Sequence, residues 1–292
     1  MREPSVKIHP TAVVSPRATI HSSVEIGPFA VVEAEAVIGQ GCKLAARSTI
    51  KSCTVLGRDC VVGEGAVLGG MPQHISPPDN PGRVIIGERT VLRENVTVHR
   101  AMNPEGETRI GADCLLMVAA HVAHDCRVGN RVILTNNVLL GGHVHVGDRA
   151  VLGGSVGVHQ YCRIGQLAML GAFARVVQDV PPFVLTDGEG GMIVGLNKVG
   201  LRRSGMDRGE IDQLKQAYRL IYRQGHTFDE MVAALEQTYS TGPAAEFAAF
   251  FKSSKRGFVQ ERRSPPKVAI RLHPAADDVA DEDQADAKRL AG

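Results

Sequence analysis

Aliphatic residues recur at every sixth position along most of this chain. Stepping by six from Ile8 to Val176 passes 29 positions, and only His74, Asn80 and Pro104 are not aliphatic. Neither a helical turn nor the alternation of a strand has that period, so each unit is predicted to be a short extended piece followed by a corner. The fourth residue after each aliphatic is small or β-branched (Ala12, Ala18, Val24, Ala30, Cys42, Ser48, Thr54), and both sets are expected to point inward. Glycine often follows the aliphatic directly, as at Gly27, Gly39, Gly57 and Gly63, where it is expected to supply the unusual backbone angles of a corner. The predicted fold is an all-β parallel β-helix of hexapeptide repeats.

Resemblance to known hexapeptide proteins implies three hexads per triangular coil of 18 residues, wound left-handed into a prism. Two interruptions, 74–85 and 104–109, leave the register intact and are predicted to be ejected loops, the first stiffened by Pro77, Pro78 and Pro81. After Val176 the pattern changes. Ile211, Leu214, Tyr218 and Ile221 share one helical face, Thr227 and Glu230 form a capping box, and Gly242-Pro243 opens a further helix. The expected organisation is a β-helix over 1–190, a small C-terminal α-helical domain over 191–256, and a disordered Pro-rich then acidic tail over 257–292.

Composition narrows the function. Aromatics are only 4% and tryptophan is absent, which gives a poor supply of stacking platforms for nucleic acid. The net charge of +2 includes six acids in DDVADEDQAD (277–286), so the body is mildly basic and suits an acidic protein or a phosphorylated ligand. No basic run is interleaved with aromatics, and nucleic acid is not an expected partner. The N-terminus has no apolar stretch resembling a signal peptide, and no run approaches a transmembrane segment, so a cytoplasmic location is expected.

Five of six cysteines, Cys42, Cys60, Cys114, Cys126 and Cys162, occupy the small inward position, where a thiol acts as a compact hydrophobe. Cys53 lies elsewhere, and no CxxC pair suggests zinc bound through sulfur. The histidines differ. On an 18-residue coil, the hexads holding His124, His143 and His159 stack in adjacent layers about 4.8 Å apart. His121 precedes the same corner, His99 joins the column if 104–109 is looped out, and the loop 74–85 leaves from that column too. His9, His21, His226 and His273 are read as surface or packing residues, and His145 is left unassigned. Such a cluster points to chemistry.

The runs LLMVAAHVAHDCRVGNRVILTNNVLLGGHV (115–144), GSVGVHQYCRIG (154–165), QDVPPFV (178–184) and GLNKVGLRRSG (195–205) closely resemble cytoplasmic acyl-carrier-protein-dependent UDP-N-acetylglucosamine O-acyltransferases. That family catalyses the first step of lipid A biosynthesis, and the likeness spans residues 6–256. The resemblance implies a homotrimer with active sites in clefts between subunits, acyl carrier protein as donor partner, and no cofactor or metal. It assigns His124 as general base, Asp125 as the group that orients it, and the backbone N–H of Gly142 as oxyanion donor. Gln73, His74, His121, His143, His159 and Gln160 match positions around sugar and acyl chain, and Asn197 and Arg203 match nucleotide or phosphate contacts. The chain departs from the family at His74 and Ser76, where an acid and a lysine are usual, at Val199 in place of a glutamate, and at Ser204 in place of an arginine. Those departures touch sugar and diphosphate recognition.

Three other readings remain at this level. An acyltransferase on a 3-amino or 2-amino UDP-sugar would use the same coil. A zinc enzyme of the hexapeptide carbonic-anhydrase type would need three coil histidines as ligands. A non-catalytic β-helical scaffold would explain the repeats and leave the histidines unexplained.

Overall fold

Each hexad folds as a two-residue strand and a corner, and three hexads close one coil. The computed structural model describes residues 7–262 of the chain. Its strands stack into three sheets, one per face of the prism, with 11, 9 and 8 strands, all parallel except for the last strand of the first sheet. Within uninterrupted coils the pairing runs between residues 18 apart, as in Val122↔Leu140 and Leu140↔Val158. The core is a ladder of these aliphatics together with the small residues between them, among them Ala36, Cys60, Ala66 and Cys126, all fully buried. Burial pushes the Cys126 thiol up to about 12, consistent with a cysteine that acts only as packing.

The corners depart from the expectation placed on glycine. Gly57 and Gly63 do not adopt positive φ. A Cβ on Gly57 would stand 2.7 Å from Glu88 N, and one on Gly63 would stand 2.7 Å from Arg93 C, so glycine is required by the approach of the next coil. Positive φ falls two residues later, on non-glycine residues such as Phe29, Arg47, Asp59, Asn95, Asp125, His143 and Tyr161. Each such residue costs about 1 kcal/mol or more in a free chain. The hydrogen bonds of the coil hold it there.

Both insertions are ejected with register preserved, since Leu68 pairs with Val98 and Val98 with Val122. Their boundaries differ from those expected. Arg83–Ile86 and Glu107–Ile110 are four-residue strands, so 83–85 and 107–109 belong to the third sheet. The insertions lie in adjacent coils, and their returning ends pair as Arg83↔Glu107, Val84↔Thr108 and Ile85↔Arg109, burying Val84 and Thr108.

At the C-terminal end of the first sheet, Val184–Thr186 pairs antiparallel with Ile193–Leu196. Four helices follow among the described residues: α1 (Lys198–Arg203), α2 (Arg208–Arg223), α3 (Phe228–Thr238) and α4 (Ala245–Lys252). α2 and α3 begin in capping boxes, Asp207 with Glu210 and Thr227 with Glu230. α1 is an addition to the helices anticipated from sequence. Phe183, Leu201, Leu214, Leu235, Phe247 and Phe251 make the core of this region. Buried Asp179 joins it to the coil by accepting from Arg163 Nε and Ser254 Oγ, both at 2.9 Å.

The boundary at 257 is also corrected. Phe258 bridges to Asp179, Val259 is buried, and Glu261 bridges to Ile193 while accepting from Tyr218 Oη and Arg223, each at 2.8 Å. Residues through 261 therefore belong to the folded body. Residues 263–292 of the expected tail lie outside the described residues.

Candidate active site

The second sheet carries the site. His121–Val122, Leu139–Leu140 and Gly157–Val158 lie in successive coils, each followed by a corner leading to the third sheet. His121 is on the outer surface of its strand, His159 is the first residue after its aliphatic, His124, Gly142 and Gln160 are the second, and Asp125 and His143 are the third. These side chains reach one edge because the coils stack in register. The 71–82 loop leaves the same sheet and adds Gln73 and His74. Together, Gln73, His74, His121, His124, Gly142, His159 and Gln160 line a groove of about 790 Å³.

His124 is 8% exposed, and its Nδ1 lies 2.7 Å from Asp125 Oδ2. The same carboxylate oxygen accepts from Met102 N at 3.1 Å, and Thr108 Oγ1 accepts from Asp125 N at 2.8 Å. A carboxylate accepts and does not donate, so Nδ1 carries the hydrogen and Nε2 presents its lone pair. The ring edge bearing Nε2 faces Gly142, where an added Cβ would lie 2.6 Å from Cε1 and 2.7 Å from Nε2. Gly142 O accepts from Tyr161 N, and the Gly142 N–H makes no hydrogen bond among the described residues. An imidazole lone pair and a free amide donor thus stand side by side.

Three neighbouring histidines, His121, His143 and His99, are biased towards the neutral form. Burial lowers His121, whose Nδ1 is 2.8 Å from Thr97 Oγ1. Burial also lowers His143, helped by His124 and opposed by Asp125. His99, beneath His121 with ring centroids 5.0 Å apart, is pushed down to about 4 by burial and then by His121 and His124. The His74 ring meets that of His124 edge to face with centroids 6.3 Å apart, and its Nδ1 accepts from Ser76 N at 3.1 Å. His74, expected from sequence to be a departure from the family pattern, therefore lies against the central imidazole.

Asp125 and His143 stand behind the groove, with His143 Nε2 3.7 Å from Asp125 Oδ2. His124, Asp125 and His143 place one donor atom each within 4.8 Å of one another, a spacing that could hold a cation. Ligation through His124 Nδ1 would break its bond to Asp125.

Asn197 and Arg203 do not join the histidines in this chain. They line a second groove of about 890 Å³ with Arg131, Arg149 and Met169. Asn197 is 6% exposed and is the N-cap of α1, accepting from Gly200 N at 3.0 Å and donating to Leu167 O at 2.9 Å. Both ends of its amide are occupied, so it holds α1 in place, and Arg203 at the other end of α1 is the exposed member of the pair. Sequence reasoning missed Tyr161, which stacks on His143, and the Thr97, Met102 and Thr108 contacts. The period was a signal for Tyr161, which lies 18 residues after His143.

A prism of six-residue repeats with histidines along one corner and a helical region at its C-terminal end defines a hexapeptide-repeat transferase. A model for bacterial transferase hexapeptide repeats matches residues 35–70, and one for domain 2 of UDP-N-acetylglucosamine O-acyltransferase matches 179–259. The solved UDP-N-acetylglucosamine acyltransferase of Francisella novicida is 33% identical, with 92% of this chain and all of that one covered at a TM-score of 0.85. The Moraxella catarrhalis UDP-N-acetylglucosamine O-acyltransferase is 37% identical over 87% of this chain and 99% of its own, with a TM-score of 0.84. The Arabidopsis acyltransferase is 34% identical over 87% and 100%, with a TM-score of 0.77. The chain belongs to the UDP-N-acetylglucosamine O-acyltransferase family. It is an acyltransferase with the left-handed β-helix of that family. No helix among the described residues is long and apolar enough to cross a membrane.

Proposed function

We propose that the enzyme transfers an acyl chain, of the 3-hydroxyacyl type, from acyl carrier protein to the 3-hydroxyl of UDP-N-acetylglucosamine, the first step of lipid A biosynthesis. The observation that carries this reading is the juxtaposition of His124 Nε2, aligned by Asp125, with the unengaged N–H of Gly142. His124 Nε2 takes the proton as the sugar oxygen forms its bond to the thioester carbonyl carbon. The carbonyl oxygen becomes an oxyanion, stabilised by the Gly142 N–H. Collapse breaks the carbon–sulfur bond, and His124 returns the proton to the departing thiol. The cycle needs no acyl-enzyme and no bound cofactor. Asp125 accepts from Nδ1–H throughout and stabilises the imidazolium between the two proton transfers.

Gln73, His74, His121, His159 and Gln160 would surround the sugar and the start of the acyl chain, with His143 standing behind them. In the homotrimer of this reading, the groove at Arg203 of one subunit completes the histidine groove of its neighbour, and Asn197 contributes by fixing α1. The enzyme would act in the cytoplasm, where its nucleotide sugar is made.

His74 against His124 favours one second reading, a 3-amino UDP-sugar as acceptor, because the residue that departs from the family touches the base. The test is transfer from 3-hydroxyacyl-acyl carrier protein to UDP-N-acetylglucosamine and to its 3-amino analogue, with products weighed by mass spectrometry. Ester product at the larger kcat/KM supports the first reading, amide product supports the second, and no product from either overturns both.

A further inference from the structure

Asp125, His143 and Tyr161 occupy the same corner in three successive coils, and all three adopt positive φ, at 61°, 60° and 66°. The repeat therefore lays a carboxylate, an imidazole and a phenol one above another. The Tyr161 ring lies over the His143 ring with centroids 4.5 Å apart and planes 8° from parallel. On its other side His143 offers Nε2 to Asp125 Oδ2 at 3.7 Å, and its ring centroid is 5.2 Å from that of His124. Tyr161 N also donates to Gly142 O at 3.0 Å, fixing the peptide between Gly142 and His143. Its hydroxyl makes no hydrogen bond among the described residues, and the residue is 53% exposed. The side chain is held by ring contact alone.

We propose that Tyr161 is a positioning residue for the acyl transfer: its ring clamps His143 in one orientation and limits the competition of that imidazole with His124 for Asp125. The proposal rests on the acyl-transfer reading above. Asp125 Oδ2 already accepts from His124 Nδ1 and Met102 N, and the nearest further donor is His143. If the imidazole were free to swing closer, or were charged, it would take the carboxylate from His124 Nδ1 and loosen the alignment of Nε2. Stacking from one side and the corner backbone from the other remove that freedom.

The electrostatics agree in direction. The groups facing His143 are Asp125 and His124 below it, Tyr161 above it and His145 two residues on. Burial is the largest influence on His143 and lowers its pKa, while Asp125 raises it and His124 lowers it. Tyr161 covers one face of the ring, so its removal relieves burial, and His143 then takes up its proton at higher pH.

The experiment compares wild type, Tyr161→Phe, Tyr161→Leu and Tyr161→Ala as full chains, with melting temperatures to establish folding. Steady-state kinetics and the titration of His143 by NMR of nitrogen-labelled histidine are the readouts. Tyr161→Phe is expected to keep kcat within about twofold, because only an unbonded hydroxyl is lost. Tyr161→Ala is expected to lower kcat about tenfold or more, the cost of a misaligned group. Its KM for the sugar stays within about twofold, His143 titrates at higher pH, and the acid limb of kcat moves up in the same direction. Tyr161→Leu, which retains bulk without a planar face, falls between. A folded Tyr161→Ala enzyme with wild-type kcat and His143 titration overturns the proposal. So does a loss confined to KM, or a Phe variant as impaired as the Ala variant. If the Ala variant does not fold, the Phe and Leu variants decide between the same outcomes. Absence of transfer by wild type refutes the acyl-transfer reading instead, while the NMR titration still tests the clamp.

Discussion

The His124 imidazole leaves no room for a side chain on residue 142, since the smallest one would place its Cβ 2.6 Å from Cε1. Gly142→Ala must therefore displace either the imidazole or the amide beside it. We expect kcat to fall about 100-fold with the melting temperature nearly unchanged, measured by acyl-transfer kinetics and calorimetry.

His124→Ala is expected to reduce kcat by about 10²–10⁴-fold, the usual contribution of a general base, while UDP-sugar binding by titration calorimetry persists. Prolonged chelation should leave wild-type activity unchanged. If activity were lost to the chelator and restored by zinc, the triplet His124, Asp125 and His143 would be a metal centre.

Acid should destabilise this fold by a route visible in its histidines. His99 is held near 4, and His121 and His143 are lowered, all chiefly by burial. An unfolded histidine titrates at about 6.5, so as pH falls from there towards 4 the unfolded chain binds more protons than the folded one, and stability declines. Above about pH 6.5 this contribution is fully present. The melting temperature of His99→Asn should fall less steeply than that of wild type across the same window.

Two truncations test where the body ends. A chain stopping at residue 256 should be less stable than one stopping at 262, by roughly 2 kcal/mol for the lost burial of Val259 and by more because Tyr218 and Arg223 also lose Glu261. Separately, Asp179→Ala should cost about 1–3 kcal/mol, as it removes the buried acceptor of Arg163 N, Arg163 Nε and Ser254 Oγ.

Light scattering should give three chains per particle. Leu139, Met169 and Phe173 are exposed apolar or aromatic side chains that a lone prism leaves in water. A monomer at assay concentration that still transfers acyl groups would contradict a shared cleft.

The repeat was legible because a single physical demand, one aliphatic pointing inward per corner, is restated at every hexad. With the 18-residue coil that the family resemblance implies, that period also yields the histidine column and the common origin of the first ejected loop. The corner residue with positive φ left no trace, since Phe29, Arg47, Asp59 and His143 share no chemistry and are held there by packing. The loop edges were illegible for a related reason. Arg83–Ile86 and Glu107–Ile110 are strands because the two insertions are neighbours in space, which neither stretch reveals by itself. Asn197 was assigned to the nucleotide from its place in a motif, and its buried cap geometry needed α1 to be seen.

The insertions after Leu68 and after Val98 displace the pairing by whole hexads and leave every later residue on its proper face. Length in this protein is accordingly quantised. A duplication of one full repeat can be extruded as a loop and leave the prism undisturbed. A single codon gained or lost between His124 and Val158 would instead rotate everything downstream by a fraction of a turn, carrying His159 away from His124. The same regularity that lets one corner gather residues from distant coils makes the reading frame of the repeat a constraint on the site.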